Sequence, residues 1–500
     1  MRFRRARMLD LVSGRASEPH DVLVSGSRLY RSDAVPGSSA GDDEVIDLQG
    51  RFILPGLWDA HVHTDLWAQA SHRIDLSGAD SSTRALDALT RNARLSSREP
   101  VVALSAPLER WPSPLDGSRL DALFPERAVI VCSRDLHSVW ANGMALLLAG
   151  LAADPNTRPA ARLAREQDAF TLERHFLRPS QAELDEWCAQ SAAEAARKGI
   201  VGIVDMQDGP ARLATWRRRI AAGCTFVRIC LSCWPDTLDE AIDSGMTTGA
   251  RLDDRGWLLG GPLKIIADGS LSSGTAWSST PYSDPAPGID AHGLSLIGRP
   301  ELSGLMSRAE VHGLQVAVHA IGDAAVSQAL DCFAESGARG SIEHAILARA
   351  DDLARMASLG VRASVQPAHL LQDRALLERR WPTRCGDAFP LRSCLDAGVE
   401  LRFGSDAPVV DLDPWQAISA AVLRAEPGAP SWHCEQSLTV GEAMRASTGG
   451  AAQLVPGGSA DLMVLDDDPL QGAPTARGKH EGEKPQWTPQ GPRWAPRPPR

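Results

Sequence analysis

The strongest constraint on the fold is a repeated alternation of strand-like and helix-like segments between residue 54 and about residue 440. Short apolar β-rich runs alternate with longer stretches of helical periodicity, which is typical of βα units on a parallel sheet. The candidate strands are Leu57–His63, Gly199–Met206, Thr225–Cys233, Leu258–Asp268, Leu314–Ile321, Gly340–Ala345, Val361–Gln366 and Glu400–Asp406. Eight such units predict an α/β fold built on a (β/α)8 TIM barrel.

The spacing of the strands also predicts the domain organisation. About 135 residues separate the first two strands, too many for one crossover, so we expect an inserted subdomain at about 66–195 within a barrel spanning 55–440. Short apolar runs in residues 1–54 and a strand-like run within 441–469 predict one small β-sandwich domain built from both chain ends. The Pro- and Arg-rich residues 470–500 are expected to be disordered.

Composition and charge exclude several classes of function. The net charge is −11 and no long basic run precedes the tail, so nucleic acid is not an expected partner. The basic N-terminus lacks a following apolar segment, and no run of about 18 apolar residues exists, so we expect neither a secretory signal nor a membrane span. Nine scattered cysteines fit reduced thiols, and the predicted location is cytoplasmic.

Two histidines at the end of the first predicted strand are the first sign of a metal site. Because side chains alternate along a strand, His61 and His63 point to the same side. At the carboxyl end of an inward-facing barrel strand, two imidazoles can chelate one ion. The alternative is a pair of unrelated histidines near a loop, but the apolar strand that precedes them favours the metal.

Further metal-compatible groups lie in or at the ends of the fourth, fifth, sixth and eighth predicted strands. Lys264 lies in an apolar strand, where a lysine is costly unless it is paired or modified. His319, His344 and Asp406 end their strands. Taken singly, these residues could be a snorkelling lysine, satisfied core histidines and a helix-capping aspartate. Because the strand ends of a barrel share one mouth, the set together predicts an active site.

These stretches resemble the amidohydrolase superfamily and, within it, the exoenzyme-like branch that includes N-substituted formamide deformylase. The resemblance spans roughly residues 45–468 and rests on Leu54–His63, His137–Asn142, Lys264–Leu271, His319–Asp323, Glu343–His344, Gly404–Asp406 and Ala460–Asp466. It implies a metal-dependent hydrolase of carbon–nitrogen bonds other than peptide bonds. The expected substrate is a small amide or formamide-like molecule, attacked by a hydroxide that bridges two ions.

The resemblance also implies a role for each metal-compatible residue. The more buried ion would be held by His61, His63 and Asp406, and the second ion by His319 and His344. A CO2-derived carbamate on Lys264 would bridge the two ions, for which Zn²⁺ is the first expectation. Asp406 would also be the catalytic residue that moves the proton. The residues predicted to contact substrate are His137, Trp140, Asn142, Asp268 and His369.

Two alternatives stay open from the sequence. One is a mononuclear metal-dependent deaminase of the same superfamily, against which Lys264 argues because one ion needs no bridging carboxylate. The other is a non-catalytic barrel that serves as a scaffold, against which the retention of every ligand type argues. The oligomeric state is open as well, with a homo-oligomer among the possibilities.

Overall fold

The structure is a computed structural model that describes residues 1–31, 44–93, 100–108, 111–133, 138–154, 156–165, 167–177, 179–209, 211–285, 290–426 and 428–471. The chain divides into two compact units, one made of Met1–Thr64 with Ala192–Arg500 and the other of Asp65–Ser191. His137 and the tail from residue 472 onward lie outside the described residues.

The larger unit contains a sheet of eight parallel strands arranged in chain order. The strands are Leu57–Val62, Ile200–Asp205, Arg228–Cys233, Leu258–Ile266, Val316–Ala320, Gly340–His344, Arg362–Val365 and Leu401–Phe403. Each lies inside one of the predicted runs. Parallel strands are covered on both faces, and accordingly the sixth strand is buried at all five positions.

The sheet nearly closes into a barrel through contacts just beyond the first and eighth strands. The Asp406 amide donates to the His61 carbonyl at 2.7 Å, and the His63 amide donates to the Ala407 carbonyl at 2.9 Å. These bonds hold the segments that carry His61, His63 and Asp406 directly against each other. The predicted α/β barrel is therefore confirmed.

Helices follow the barrel strands along the chain. They are Arg212–Ala221, Leu238–Asp243, Arg299–Val311, Asp323–Ser336, Ala350–Leu359, His369–Arg380, Leu391–Asp396, Pro414–Leu423 and Val440–Ser447, with short 3₁₀ turns at Pro235–Thr237, Cys385–Asp387 and Cys434–Gln436. Across the described residues, none of the helices combines the length and the apolar character needed to span a bilayer.

A second sheet in the larger unit joins both ends of the chain. Its strands are Leu462–Leu465, Phe52–Pro55, Arg2–Asp10, His20–Ser25 and Arg28–Arg31, with Arg15–Ala16 and Val45–Asp47 also paired to Arg2–Asp10. The returning strand pairs antiparallel with Phe52–Pro55, in the register Leu465 opposite Phe52. The predicted contribution of both chain ends to one β-structure is thus observed.

The smaller unit has its own five-stranded sheet, ordered Arg162–Arg165, Ser138–Ala141, Val129–Ser133, Val101–Ala106 and Ile74–Asp75. Its helices are Ser82–Asn92, Gly117–Leu123, Gly143–Leu148 and Gln167–Phe176. Two further helices, Thr64–Ser71 and Gln181–Arg197, contain the points where the chain passes between the units.

Candidate metal centre

The predicted metal-compatible side chains converge at the carboxyl ends of the barrel strands. Lys264 Nζ lies 3.3 Å from His61 Nε2, and His63 Nε2 lies 3.3 Å from an oxygen of Asp406. The ring centroids of His61 and His344 are 5.0 Å apart, and those of His344 and His319 are 4.5 Å apart. Side chains from strands that are far apart in sequence therefore form one continuous cluster.

His61, His63 and Asp406 form the first group with metal-binding geometry. Asp406 Oδ1 lies 3.6 Å from His61 Nε2 and 3.3 Å from His63 Nε2. Ligand atoms about 2.1 Å from a tetrahedral ion are about 3.4 Å apart. These separations therefore fit one divalent ion held by two nitrogens and one oxygen.

A second group with candidate metal-binding geometry shares Asp406 but replaces the other two ligands. It consists of His344, His369 and Asp406, whose ligand atoms all lie within 4.8 Å of one another. His369 Nε2 is 4.0 Å from Asp406 Oδ2, the oxygen of this carboxylate that the first group does not use. Asp406 Oδ1 therefore lies beside His61 and His63, and Oδ2 lies beside His369.

Hydrogen bonds on the far side of three histidines fix which ring nitrogen is left for a metal. His61 Nδ1 donates to Glu343 Oε2 at 2.7 Å, and His344 Nδ1 donates to Gln366 Oε1 at 2.8 Å. His319 instead uses Nε2, which donates to the Gly269 carbonyl at 3.2 Å. Since each acceptor is an oxygen, the opposite nitrogen keeps its lone pair, as in known metal sites.

Burial keeps these imidazoles neutral. Burial, aided by the Lys264 ammonium, lowers the pKa of His61 and lowers that of His319 to about 3. Burial and the adjacent His319 hold the pKa of His344 well below its ordinary value. A neutral imidazole is the form that binds a metal, so these residues can act as ligands without first losing a proton at neutral pH.

Asp406 is ionised in the same surroundings. Burial alone would raise the pKa of this carboxyl, but the electrostatic interaction with the His61 imidazole and the hydrogen bond with His63 outweigh burial, and the pKa lies well below its ordinary value. Asp406 also has a φ of +58°, a strained conformation for a side chain other than glycine. Such strain is held by the surrounding structure and is common at functional sites.

Lys264 is the least ordinary member of the cluster because it is only 1% exposed. Burial lowers the pKa of its amine to about 8, although the charges of Glu343 and Asp406 partly offset this effect. A buried lysine with a lowered pKa carries more of the neutral, nucleophilic amine at neutral pH. This is the form of the amine that reacts with CO2.

Three supporting side chains were missed in the sequence as functional residues. Glu343 and Gln366 orient His61 and His344, and Asp59 accepts the amides of His61 and Ser405 at 3.1 and 2.9 Å. Burial raises the pKa of Asp59 to about 6. The sequence does contain a signal for two of them. Asp59 and Glu343 are carboxylates in apolar strands, and such a group needs a partner.

The residues predicted to contact substrate have differing surroundings. Asp268 is fully buried and accepts the amides of Ile321, Gly322 and Trp277, which fits a structural role better than substrate contact. In the smaller unit, Asn142 is also fully buried; its side chain accepts the Val129 amide and caps the helix Gly143–Leu148.

The other three predicted contacts are His137, Trp140 and His369. Trp140 packs against a core cluster of the smaller unit and stays a prediction, as does His137, which lies outside the described residues. His369 lies beside Asp406, as described above.

The chain is similar to known proteins in sequence and in fold. A sequence model described as "Amidohydrolase family" matches residues 44–481. YtcJ of Bacillus subtilis is 26% identical over 470 residues, covering 86% of each chain, and N-substituted formamide deformylase of Arthrobacter pascens is 26% identical over 508 residues, covering 92% of each. An uncharacterized metal-dependent hydrolase from Pyrococcus horikoshii has the same fold, with a TM-score of 0.77 and 24% identity over 94% of this chain and 98% of that chain.

Proposed function

The chain belongs to the amidohydrolase family, and from this premise we propose that it is a metal-dependent hydrolase cleaving a carbon–nitrogen bond of a small amide or formamide. The proposal rests on one observation: a carboxylate oxygen and a lysine amine both lie close to the same histidine nitrogen. Asp406 Oδ1 and Lys264 Nζ both approach His61 Nε2, at 3.6 and 3.3 Å. A buried lysine beside a metal-binding nitrogen is costly unless it is paired or modified, and modification would make it a ligand as well.

The donor set fits one or two divalent ions. Neutral imidazoles, an ionised carboxylate and a carbamylated lysine together supply the nitrogen and oxygen ligands that Zn²⁺ prefers. A bound divalent ion of this kind lowers the pKa of water toward neutrality and polarises a carbonyl oxygen. His61, His63 and Asp406 would hold the first ion, and His344 with His319 would contribute to the second.

Lys264 takes its proposed form by reaction with CO2. The ammonium first loses a proton; the neutral amine then adds to the carbon of CO2, and a second proton leaves to solvent. This reaction replaces a buried positive charge with an anionic group that offers two oxygen donors. Glu343, which bonds to His61 Nδ1, keeps the imidazole oriented toward this group.

Asp406 is the proposed proton carrier. Its ionised carboxylate accepts a proton from the attacking water and delivers it to the leaving nitrogen, so that the amine departs neutral. The relative from Arthrobacter pascens bears the name of a formamide deformylase, which supports N-formyl and N-acyl amines as the first substrates to test.

A hydrolysis screen tests the proposal. The protein is stripped of metal, reloaded with Zn²⁺ or Co²⁺, and incubated with N-formyl amines, N-acyl amines and amino-substituted heterocycles. We expect metal-dependent release of amine from the amides and its loss in the stripped protein. Release of ammonia from the heterocycles alone would instead identify a deaminase, and no metal-dependent hydrolysis would contradict the proposal.

A further inference from the structure

His369 is a buried histidine that does not belong to the first metal group. It begins the helix His369–Arg380, just after the seventh barrel strand, and is only 7% exposed. Its Nε2 atom has no hydrogen-bond partner among the residues that the structure describes. Because a buried polar nitrogen without a partner is unfavourable, this atom points to a ligand that binds there.

The surroundings of His369 Nε2 identify the kind of ligand. The atom lies 4.0 Å from Asp406 Oδ2, and its ring lies nearly parallel to that of His344, at 16° and 6.4 Å between centroids. Two ligand atoms that each lie about 2.1 Å from one ion can be at most about 4.2 Å apart. A divalent cation between His369 and Asp406 therefore satisfies both atoms.

His344 supplies the third donor on this side. Its Nδ1 is bonded to Gln366, so its Nε2 is left free. The ligand atoms of His344, His369 and Asp406 lie within 4.8 Å of one another, so each separation needs to shorten by at most about 0.6 Å for all three atoms to reach one ion. Gln366 and His369 belong to the same short connection, in which the His369 amide donates to the Gln366 carbonyl at 3.0 Å. One short segment thus carries both the candidate ligand His369 and Gln366, the residue that orients His344.

We propose that His369 is a metal ligand and that, with His344 and Asp406, it completes the second ion position. The sequence predicts a substrate contact for this residue, whereas its geometry matches that of a metal ligand. The carboxylate of Asp406 would then lie between two ions, with Oδ1 facing the first and Oδ2 the second. The inference rests on the proposed function only in requiring ions at the barrel mouth.

Cobalt binding tests the proposal without an activity assay. The full-length wild type, His369→Ala and a control, His312→Ala, are stripped with a chelator and titrated with Co²⁺. Metal content and the visible absorption of the bound ion are measured. His312 is exposed at the end of the helix Arg299–Val311, away from the cluster. We expect two equivalents in the wild type and control, and a second equivalent about 10- to 100-fold weaker in His369→Ala.

Added imidazole separates loss of a ligand from loss of structure. If His369 is a ligand, imidazole restores the second equivalent and its absorption band in His369→Ala. Loss of both equivalents without rescue would overturn the ligand role and assign His369 to the fold. Unchanged cobalt binding with a raised KM would assign it to substrate. If the wild type binds no cobalt, the proposed function fails too, whereas unchanged binding in an active variant refutes only this inference.

Discussion

At the residue scale, the site depends on side chains whose ionisation is set by burial and by their charged and polar neighbours. Neutral imidazoles and an ionised carboxylate coexist within a few ångströms, because burial keeps the imidazoles neutral while interactions with the neighbouring histidines keep Asp406 ionised. Hydrogen bonds to a second layer of residues hold the imidazoles in place. Glu343 and Gln366 belong to this supporting layer. Such partners fix ligand orientation and influence metal affinity nearly as much as the ligands do.

Asp406→Asn tests the proposed proton carrier. The amide keeps one oxygen donor but cannot accept the proton, so we expect kcat for amide hydrolysis to fall by about 10²- to 10⁴-fold. The metal content, measured by emission spectroscopy, should fall much less than kcat relative to the wild type. Turnover equal to that of the wild type would remove Asp406 from the reaction.

The proposed reaction of Lys264 with CO2 has a defined pH dependence. With a pKa of about 8 rather than 10.5, about one amine in ten is neutral at pH 7 and about half at pH 8, and the fraction approaches a plateau about two pH units above the pKa. With bicarbonate adjusted at each pH to keep dissolved CO2 constant, bicarbonate-dependent metal uptake by the stripped protein should follow this rise. Lys264→Ala should show no bicarbonate effect and should lose metal. If metal uptake by the wild type does not depend on added bicarbonate, the carbamate is contradicted.

Glu343→Gln tests the supporting layer itself. The glutamine oxygen can still accept the hydrogen bond from His61 Nδ1, but the substitution removes the negative charge that strengthens the imidazole as a ligand. We expect metal affinity about 10-fold lower, at the weak end of effects from such partners. Equilibrium titration with a competing chelator measures the metal affinity. An affinity equal to that of the wild type would show that the charge of Glu343 does not contribute to metal binding.

At the element scale, the junction between the first and eighth strands positions the first metal group. Gly404 lies there, and an added Cβ would be 2.8 Å from the His61 amide nitrogen and 2.9 Å from the His61 Cβ. The obstacle is partly backbone, so the strands would have to separate. The absence of a side chain at this position therefore permits the close approach of His61 to Asp406.

Gly404→Ala should destabilise the protein by about 1–3 kcal/mol through this overlap and weaken metal binding as well. The control is Gly304→Ala on the exposed face of the helix Arg299–Val311, where a Cβ meets nothing within 4 Å. That change should stabilise by about 0.5–1 kcal/mol. Denaturant unfolding measures both effects, and equal effects for the two variants would contradict the close-approach argument.

The strands could be predicted from the sequence, whereas the supporting contacts could not. Apolar runs of strand length recur with helical stretches between them, so all eight barrel strands lie within the predicted runs. The Glu343–His61 contact joins strands six and one, which are not neighbours in the sheet and meet through the barrel interior. His344 also has a φ of +72°, which ends the strand alternation on which a facing argument depends.

At the scale of the whole molecule, the described metal groups belong to one of the two units. His61, His63, His344, His369 and Asp406 lie in the larger unit, in segments separated by the residues of the smaller one. Ion binding should therefore stabilise mainly the larger unit. The smaller unit has separate core clusters of its own.

Metal removal should lower the thermal stability of the protein. At free Zn²⁺ about 100 times its Kd, binding contributes about 3 kcal/mol to the folded state. Calorimetry with and without a chelator should show the transition of the larger unit moving to lower temperature, while any separate transition of the smaller unit stays in place. A shift confined to the smaller unit would contradict the assignment of the metal groups.

The most direct measurement is a crystal structure of the zinc-loaded protein with anomalous data collected at the zinc edge. We predict an anomalous peak that marks a zinc ion bonded to His61, His63 and Asp406. We also predict a second peak beside His344 and extra density on Lys264 Nζ. Anomalous peaks only at other places on the chain, with these side chains unliganded, would contradict this account.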